Sequence, residues 1–344
     1  MHDSLATEPT TPPAYVQVID MARGHYVAMV VHAAAKFGIA DHLADGPRSA
    51  EELAVPTRTH APSLHRLLRT LASLGLLTEE SDRRFRLTPL GETLRTGAAG
   101  SARATVLTIA GEWFWRGMEE FPYSVETGKS GFEKALGMPV FDFLAKNPGK
   151  AALFSETMIG VHGEEPATVA EAYDFSEIGV LLDVGGATGN MLAHILERHP
   201  EPRGILFDLP HVVKDAKPLI ESRGLSDRIE IQSGSFFESV PSGADAYLLS
   251  HVIHDWSEEQ CVAILSHVRR AMKPGARLLL VEMVLPSGDA PHPGKMLDMI
   301  MLVGPGGQER TGEEYRELLE KSGFRLTRIV PTKSPVSIVG GGPA

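Results

Sequence analysis

The pattern of apolar and polar positions divides the chain into two parts near residue 180. Before that point apolar residues recur mostly at helical spacing, as at Leu64, Leu67, Leu68 and Leu71. After it, short apolar runs alternate with amphipathic helical segments. This alternation indicates an α/β domain with a doubly wound, mainly parallel sheet, whose ligands bind at the carboxyl ends of the strands.

Five strands and a terminal strand pair are predicted in the second part of the chain. The strands are 180–184, 204–208, 228–232, 244–250 and 277–284, and the pair is 324–330 with 335–339. Amphipathic helices are predicted over 257–272 and 312–322.

The first part of the chain has the order helix, turn, helix and wing. Ser49 precedes Glu51 and Glu52 as an N-cap, the leucine helix follows, and 84–88 alternates like a strand. The segment 16–43 is apolar over most of its helical surface, including Met21 and Val27, which predicts burial, with another subunit as a candidate partner. The expected domains are a disordered leader over 1–14, a mainly helical winged-helix dimerisation domain over 15–105, a helical linker and substrate-pocket segment over 106–176, and a Rossmann-like catalytic domain over 177–344.

Charge argues against nucleic acid and membrane surfaces as partners of this chain. The formal net charge is −11, and residues 1–105 carry 11 basic and 11 acidic residues with no dense basic stripe. The winged-helix outline is therefore interpreted as a dimerisation or pocket-forming module rather than a DNA-binding one. The single cysteine, Cys261, excludes an intramolecular disulfide, and no signal peptide is recognised, so a cytoplasmic protein is expected.

A glycine turn follows the first predicted strand of the second part. The run ending at Val184 leads into Gly185, Gly186 and Gly189, and a helical pattern begins at Met191. Glycines permit positive φ and close approach of a ligand, and the helix start offers free N–H groups. A strand–turn–helix of this kind predicts a nucleotide-like ligand.

Two acids define that ligand more closely. Asp208 lies nineteen positions after Gly189, at the end of the next strand, where a carboxylate accepts hydrogen bonds from ribose hydroxyls; the alternative is a turn residue before Pro210. Asp183 directly precedes the turn, where it would repel a pyrophosphate but would pair with an ammonium or orient the loop. The turn also lacks the GxGxxG of dinucleotide enzymes, so S-adenosylmethionine is favoured over NAD.

Two histidines, His251 and His254, follow the fourth strand at the expected ligand edge of the sheet. As a metal site the pair lacks a clear third ligand. As a general base, one histidine needs an orienting carboxylate, and Glu282 and Glu309 are available. A structural role for a histidine is the alternative, and the position at a strand end favours catalysis.

Taken together, these motifs resemble the plant-type, S-adenosylmethionine-dependent small-molecule O-methyltransferases, including their bacterial natural-product tailoring branch. The resemblance covers nearly the whole chain and depends on the order of the motifs. They are 183–189, Phe207-Asp208-Leu209-Pro210, 234–237, His254-Asp255-Trp256, Glu282 with Leu285-Pro286, and 306–311.

The resemblance implies a role for each matching residue. Gly185 and its neighbour Gly186 would lie against the methionine part of the cofactor, and Asp208 beside Leu209 would hold the ribose. The adenine would face Ser235, Phe236 and Phe237, and Ser250 would lie near the amino-acid end. His254 would be the general base, with Glu282 and Glu309 flanking it.

Two departures from the family pattern stand out. Ala187 replaces a glycine of the loop, which is a mild change if its φ stays negative. Ser235 replaces an acid that would accept from the adenine amine, so a weaker affinity for the cofactor is expected.

The predicted reaction is methylation of a hydroxyl of an aromatic small molecule by a homodimer that needs no metal. The alternatives are a non-methylating use of S-adenosylmethionine (hydroxylation, decarboxylation or rearrangement) and a metabolite-sensing winged-helix regulator. The candidate substrate-binding residues are Trp115, Met118, Met158, His162, Asp255 and Met299, with core packing as the alternative for the tryptophan and the methionines.

Overall fold

The computed structural model describes residues 12–344 as two compact units. The first comprises the described residues up to Glu112 with Leu153–Gly160, and the second comprises Trp113–Ala152 with Val161–Ala344. Residues 1–11 of the predicted leader lie outside the described part, and the first helix begins at Ala14. Within the described part, no helix has the length and apolar character needed to cross a bilayer.

The first unit is mainly helical with a small antiparallel sheet in the order β1–β3–β2. Its core includes Leu68 from the leucine helix and Phe85 from the wing strand, both fully buried. The elements of the first unit are α1 Ala14–Ala22, α2 Gly24–Lys36, α3 Ile39–His42, β1 Arg48–Ser49, α4 Ala50–Thr57, α5 Ala61–Ser73, β2 Leu77–Glu79, β3 Arg84–Leu87, α6 Pro89–Glu92 and α7 Arg103–Ile109.

Local signals in the first unit act as the sequence predicts, with one exception. Ser49 and Glu52 form a reciprocal capping box at the start of α4. The burial expected for the first helices is wrong within one chain: Met21 is 77% exposed, Val27 is 47% exposed, and α1 has no buried residue. An apolar surface on α1 and α2 is therefore left uncovered by residues 12–344.

The second unit begins with short helices and continues as an α/β domain. The short helices are α8 Glu112–Glu119, α9 Phe121–Thr127, α10 Gly131–Leu136 and α11 Val140–Lys146. Helix α12 (Pro148–His162) contributes residues to both units. The α/β elements are α13 Glu165–Ala172, β4 Val180–Val184, α14 Asn190–Arg198, β5 Arg203–Asp208, α15 Pro210–Val213, α16 Lys217–Ser222, β6 Ile229–Ser233, β7 Ala246–Ser250, α17 Glu258–Ala271, β8 Arg277–Leu285, α18 Pro293–Val303, β9 Arg310–Thr311, α19 Gly312–Lys321, β10 Phe324–Pro331 and β11 Val336–Pro343.

The large sheet has the order β10–β11–β8–β7–β4–β5–β6, with β9 paired to β8. The pairs among β4 to β8 are parallel, and β10 and β11 add an antiparallel edge. From β4 the chain proceeds outward to β5 and β6, then returns to add β7 on the opposite side of β4. The carboxyl ends of β4 and β7 therefore flank the switch point, where open α/β sheets bind ligands.

Both faces of this sheet are buried. Along β4, Leu181 belongs to the core on one face and Leu182 to the core on the other, as the two-residue period of a strand requires. The predicted doubly wound sheet is thus confirmed.

Trp113 packs among aromatic residues of the short helices. It is buried, and its ring centroid lies 5.9 Å from that of Phe132 and 5.6 Å from that of Phe143. Gly117 makes this packing possible, because a Cβ there would lie 2.2 Å from the Phe132 ring. Trp113 is therefore a core residue of the short helices.

Candidate active site

The glycine turn after β4 is shaped by close contacts that exclude side chains. Gly185 has φ +75°, and a Cβ there would lie 2.9 Å from Val252 Cγ2. A Cβ on Gly186 would lie 2.4 Å from Asp183 Oδ2. Gly189, with φ +78°, begins α14. The turn therefore requires glycine at these positions for steric and conformational reasons.

The condition under which the Ala187 substitution would be mild is not met, because its φ is +50°. Its backbone N–H donates to Asp208 Oδ2 at 2.9 Å, which holds the residue in this conformation. For a residue with a Cβ the left-handed region costs about 1–2 kcal/mol. The alanine in place of the family's glycine therefore introduces local strain at the turn.

Asp183 lies beneath the turn and is completely buried. Neither carboxylate oxygen has a hydrogen-bond partner among residues 12–344. Burial, together with the nearby Asp208, raises the pKa of Asp183 to about 7. A buried carboxylate without a partner is costly, and a cationic group bound at the turn would offset that cost.

Asp208 ends β5 next to the turn. Its Oδ1 accepts from the N–H of Leu209 at 2.6 Å, and its Oδ2 accepts from Ala187 as described. Burial raises its pKa, although these two N–H donors oppose the rise. A carboxylate has about four lone-pair sites, so Asp208 retains capacity to accept from further hydroxyls.

The remaining residues of the expected cofactor site surround the same strand ends. Ser235 Oγ accepts from the Phe237 N–H at 3.3 Å. The hydroxyl that replaces the family's acid therefore bonds within its own loop. Phe236 Cε1 lies 3.4 Å from where a Gly185 Cβ would be, and the Phe237 ring lies 4.8 Å from that of Trp256. Ser250 is half-buried at the end of β7. The orphaned Asp183 oxygens, the glycine turn and the free capacity of Asp208 suit a cofactor with an ammonium group and a ribose.

A second cluster surrounds His254, which is buried in a 3₁₀ turn after β7. Its Nδ1 lies 2.7 Å from Glu309 Oε1 and 3.6 Å from Glu282 Oε2, and its Nε2 lies 3.7 Å from Asp255 Oδ1. The structure thus brings together the three residues predicted for catalysis. It leaves Nε2 as the ring nitrogen without a close hydrogen bond.

Backbone hydrogen bonds fix this turn in place. Glu282 Oε1 accepts from the N–H groups of Val252 and Ile253, at 3.2 and 2.8 Å. Buried Arg310 donates to the Ile253 carbonyl at 3.2 Å. Gly307 allows the following loop to approach, because a Cβ there would lie 1.9 Å from the His254 carbonyl oxygen. The loop carrying Glu309 is thus held directly against the histidine turn.

The carboxylates change the proton affinity of this cluster. Burial by itself lowers the pKa of His254, but Glu282, Asp255 and Glu309 outweigh it and raise that pKa to about 10. Burial also raises the pKa of Asp255 to about 6, against the opposing effect of the histidines, and raises the pKa of Glu282. The imidazole is therefore a much stronger base than a histidine in water.

The candidate substrate residues are only partly brought together. Asp255 lies beside His254, and the His162 ring stacks on that of His251 with centroids 4.2 Å apart. Trp115 and Met118 are half-buried on α8, and Met299 is half-buried on α18. Met158 belongs to the first unit.

Two features of this region were not predicted from the sequence: the contact of Glu165 with His251 and the presence of further potential metal ligands. Glu165, at the start of α13, lies with Oε1 2.5 Å from His251 Nε2, and no motif indicated it. A third potential ligand also lies beside the histidine pair, contrary to the expectation from the sequence. His162, Glu165 and His251 have potential ligand atoms within 4.8 Å of one another, and so do His251, His254 and Glu282.

Comparison with known proteins places this arrangement in a family. Residues 118–325 match the O-methyltransferase domain, and residues 19–97 match the O-methyltransferase dimerisation domain. The chain belongs to the O-methyltransferase family. It is an S-adenosylmethionine-dependent O-methyltransferase that carries the family's dimerisation domain.

Individual members of the O-methyltransferase family are similar over almost the whole chain. The phenazine O-methyltransferase PhzM of Lysobacter antibioticus is 42% identical over 326 residues, which are 95% of each chain. The solved structure of LaPhzM superposes with a TM-score of 0.93 at 41% identity, covering 97% of this chain and 100% of the other. NcsB1 from neocarzinostatin biosynthesis, in complex with S-adenosylmethionine and 2-hydroxy-5-methyl naphthoic acid, gives a TM-score of 0.81 at 33% identity, covering 92% and 96%.

Proposed function

We propose that this O-methyltransferase methylates a hydroxyl group of an aromatic small molecule, with His254 as the general base. The observation that carries the proposal is the buried His254 at the switch point of the sheet, held by Glu309 at Nδ1 and open at Nε2. Relatives whose names specify phenazine, or whose structure contains a naphthoic acid, support an aromatic acceptor.

The residues around the turn would hold the cofactor. Gly185 and Gly186 would accept its methionine part, Asp183 would pair with its ammonium, and Asp208 would bind the ribose hydroxyls. Ser235, Phe236, Phe237, Leu209 and Ser250 complete the proposed cofactor site. When bound, S-adenosylmethionine supplies a methyl group activated by a positive sulfonium.

The pKa of His254 explains why this histidine suits a phenol. A phenol has a pKa of about 10 and a histidine in water about 6.5, so proton transfer to an ordinary histidine is uphill by roughly 5 kcal/mol. The surrounding carboxylates raise the pKa of His254 to about 10, which makes the transfer nearly balanced. Nε2 would take the phenolic proton while Glu309 and Glu282 stabilise the imidazolium that forms.

A pKa of about 10 also means that the resting imidazole carries a proton at neutral pH. The reactive state is then a neutral imidazole facing a phenol, or an imidazolium facing a phenolate; both have the same proton count. In either state the proton lies between Nε2 and the acceptor oxygen. The buried cluster thus holds one proton in common with the acceptor.

The test is replacement of His254 by alanine. Incubation with S-adenosylmethionine and a panel of aromatic phenols, read by product mass, should show a loss of kcat by roughly 10²- to 10⁴-fold. Binding of S-adenosylhomocysteine, measured by calorimetry, should persist, and His267→Ala on α17 serves as the control. An unchanged kcat in His254→Ala would remove the base from the mechanism.

We also propose that the enzyme works as a homodimer. The uncovered apolar residues of α1 and α2, with Tyr15 69% and Val18 65% exposed, fall mostly within or beside the matched dimerisation domain. Apolar surface of this kind favours a second copy of the chain as its cover.

A further inference from the structure

A second histidine–glutamate pair lies next to the proposed base. Glu165 Oε1 and His251 Nε2 are 2.5 Å apart, and both side chains are almost fully buried. This separation is short even for a charge-assisted hydrogen bond. His251 follows β7 directly, and Glu165 is the first residue of α13, where the helix start favours a negative charge.

The backbone at His251 specifies where its ring lies. Its φ is +53°, in the left-handed region, and its N–H donates to the Val281 carbonyl at 3.0 Å. Such a conformation costs on the order of 1 kcal/mol or more in a residue other than glycine and persists where the surroundings over-determine it. Strain of this kind, immediately beside a proposed base, points to a functional placement of the side chain.

His162 closes one face of the His251 ring. The two rings are 4.2 Å apart and 10° from parallel. Burial, and secondarily His251, lowers the pKa of His162 to about 4, so this ring is neutral at physiological pH. Ring-nitrogen lone pairs lie in the plane of each ring, so parallel stacked rings do not aim them at one ion. The arrangement favours a stacked support for His251 over a metal site.

The free nitrogen of His251 lies in the neighbourhood of His254. The two ring centroids are 5.2 Å apart, with 50° between the planes. Nε2 of His251 is engaged by Glu165, while Nδ1 has no hydrogen-bond partner in the part of the chain that the structure describes. His254 has the corresponding pattern, with Nδ1 engaged by Glu309 and Nε2 open. Two imidazoles, each held by one carboxylate, thus stand side by side with one nitrogen available.

His251 offers a second hydrogen-bonding atom beside the proposed base. A His251 ring whose Nε2–H donates to the carboxylate of Glu165 leaves Nδ1 as an acceptor with an in-plane lone pair. A hydroxyl next to the one that faces His254 would donate to this nitrogen.

We propose that His251 is a specificity residue that binds an oxygen on the ring carbon adjacent to the methylated hydroxyl, with Glu165 as its positioning residue. The enzyme therefore selects aromatic acceptors with two vicinal oxygens, one facing His254 and the other His251. This inference rests on the proposed function, because it assumes that the acceptor's hydroxyl faces His254.

The test compares two isomeric acceptors, 2,3-dihydroxynaphthalene and 2,7-dihydroxynaphthalene. They have the same ring and the same number of hydroxyls, and only the first has vicinal oxygens. Wild-type kcat/KM should favour the 2,3-isomer by roughly tenfold, the contribution of one hydrogen bond. In His251→Phe and Glu165→Gln this ratio should collapse towards one, while His162→Phe, which keeps a stacked ring, should retain it.

Three outcomes would overturn the inference. The first is a wild-type ratio near one, and the second is a His251→Phe variant that slows both isomers by the same factor. The third is a ratio abolished by EDTA and restored by zinc, which would make the cluster a metal site. Calorimetric affinities for the two isomers in the presence of S-adenosylhomocysteine test the same ratio without turnover. If neither isomer nor any other phenol is methylated, the proposed function fails, and the binding ratio still decides the role of His251.

Discussion

Replacement of Glu309 by glutamine tests the contribution of the carboxylate that lies closest to His254, the proposed base. The pKa of His254 is raised from 6.5 to about 10, which corresponds to about 5 kcal/mol of net stabilisation of the imidazolium at about 1.4 kcal/mol per unit. Glu309 lies 2.7 Å from Nδ1, closer than Glu282 at 3.6 Å. Removing one adjacent opposite charge should lower the pKa of His254 by about 1–2 units, or about 1.4–3 kcal/mol.

The sign of the effect follows from the role of the base. Activity requires the proton count of a neutral His254 with a neutral phenol. While the phenol in solution is neutral, kcat/KM therefore rises with pH as the imidazolium of the free enzyme loses its proton. In Glu309→Gln this rise should be centred about 1–2 pH units lower than in the wild type. The plateau should fall on the order of tenfold, because a weaker base accepts the phenolic proton less readily.

The assay is the pH dependence of kcat/KM between pH 6 and 10.5, with one acceptor and with S-adenosylhomocysteine formation as the readout. Ionisation of the acceptor affects both proteins equally, so the difference between the profiles reports the enzyme. Glu313→Gln is the matched control, because Glu313 is an exposed carboxylate paired with Arg316 on α19. Superimposable profiles of Glu309→Gln and wild type would refute a contribution of Glu309 to the raised pKa of His254.

Three further predictions concern the turn and the proposed dimer. The pKa of Asp183 is raised from 3.8 to about 7, so the protonated carboxyl stabilises the fold by about 4 kcal/mol below pH 3.8, and this stabilisation is lost as the pH rises to 7. Without cofactor, Asp183→Asn should lack this loss when thermal unfolding is measured between pH 5 and 8.5. Parallel Tm curves for the variant and the wild type would contradict the prediction. Ala187→Gly should change the free energy of unfolding by less than about 1 kcal/mol, because relief of strain offsets the greater entropy of the unfolded chain. Ala187→Val should lower the free energy of unfolding by about 1–3 kcal/mol. Equal urea midpoints for the two variants would exclude strain at this turn. Met21→Asp should shift sedimentation from dimer to monomer. The control Val55→Asp, at an apolar residue of α4 that is 80% exposed, should leave the dimer intact. A monomeric wild type, or a Met21→Asp dimer as stable as the wild type, would refute the proposed interface.

The sequence predicted the fold because its signals are local and repeated. The apolar runs at 180–184 and 204–208 are strands buried on both faces, and the Ser49 capping box needs only neighbours three residues apart. The glycine turn and Asp208 were recognised for the same reason, since a strand–turn–helix has a fixed local geometry. His254, Glu282 and Glu309 were grouped through their positions at strand ends and the family resemblance.

The tertiary structure alone decided which residues distant in sequence are in contact and which conformation single residues adopt. The hydrogen bond from Ala187 to Asp208 accompanies a positive φ at that alanine, which no local pattern indicates. The isolation of Asp183 depends on every element that covers it. Glu165 meets His251 across 86 positions of the chain, and packing brings the pair beside His254. Periodicity determines which face of an element is buried, whereas the partner that a buried polar group finds there is set by how the elements pack.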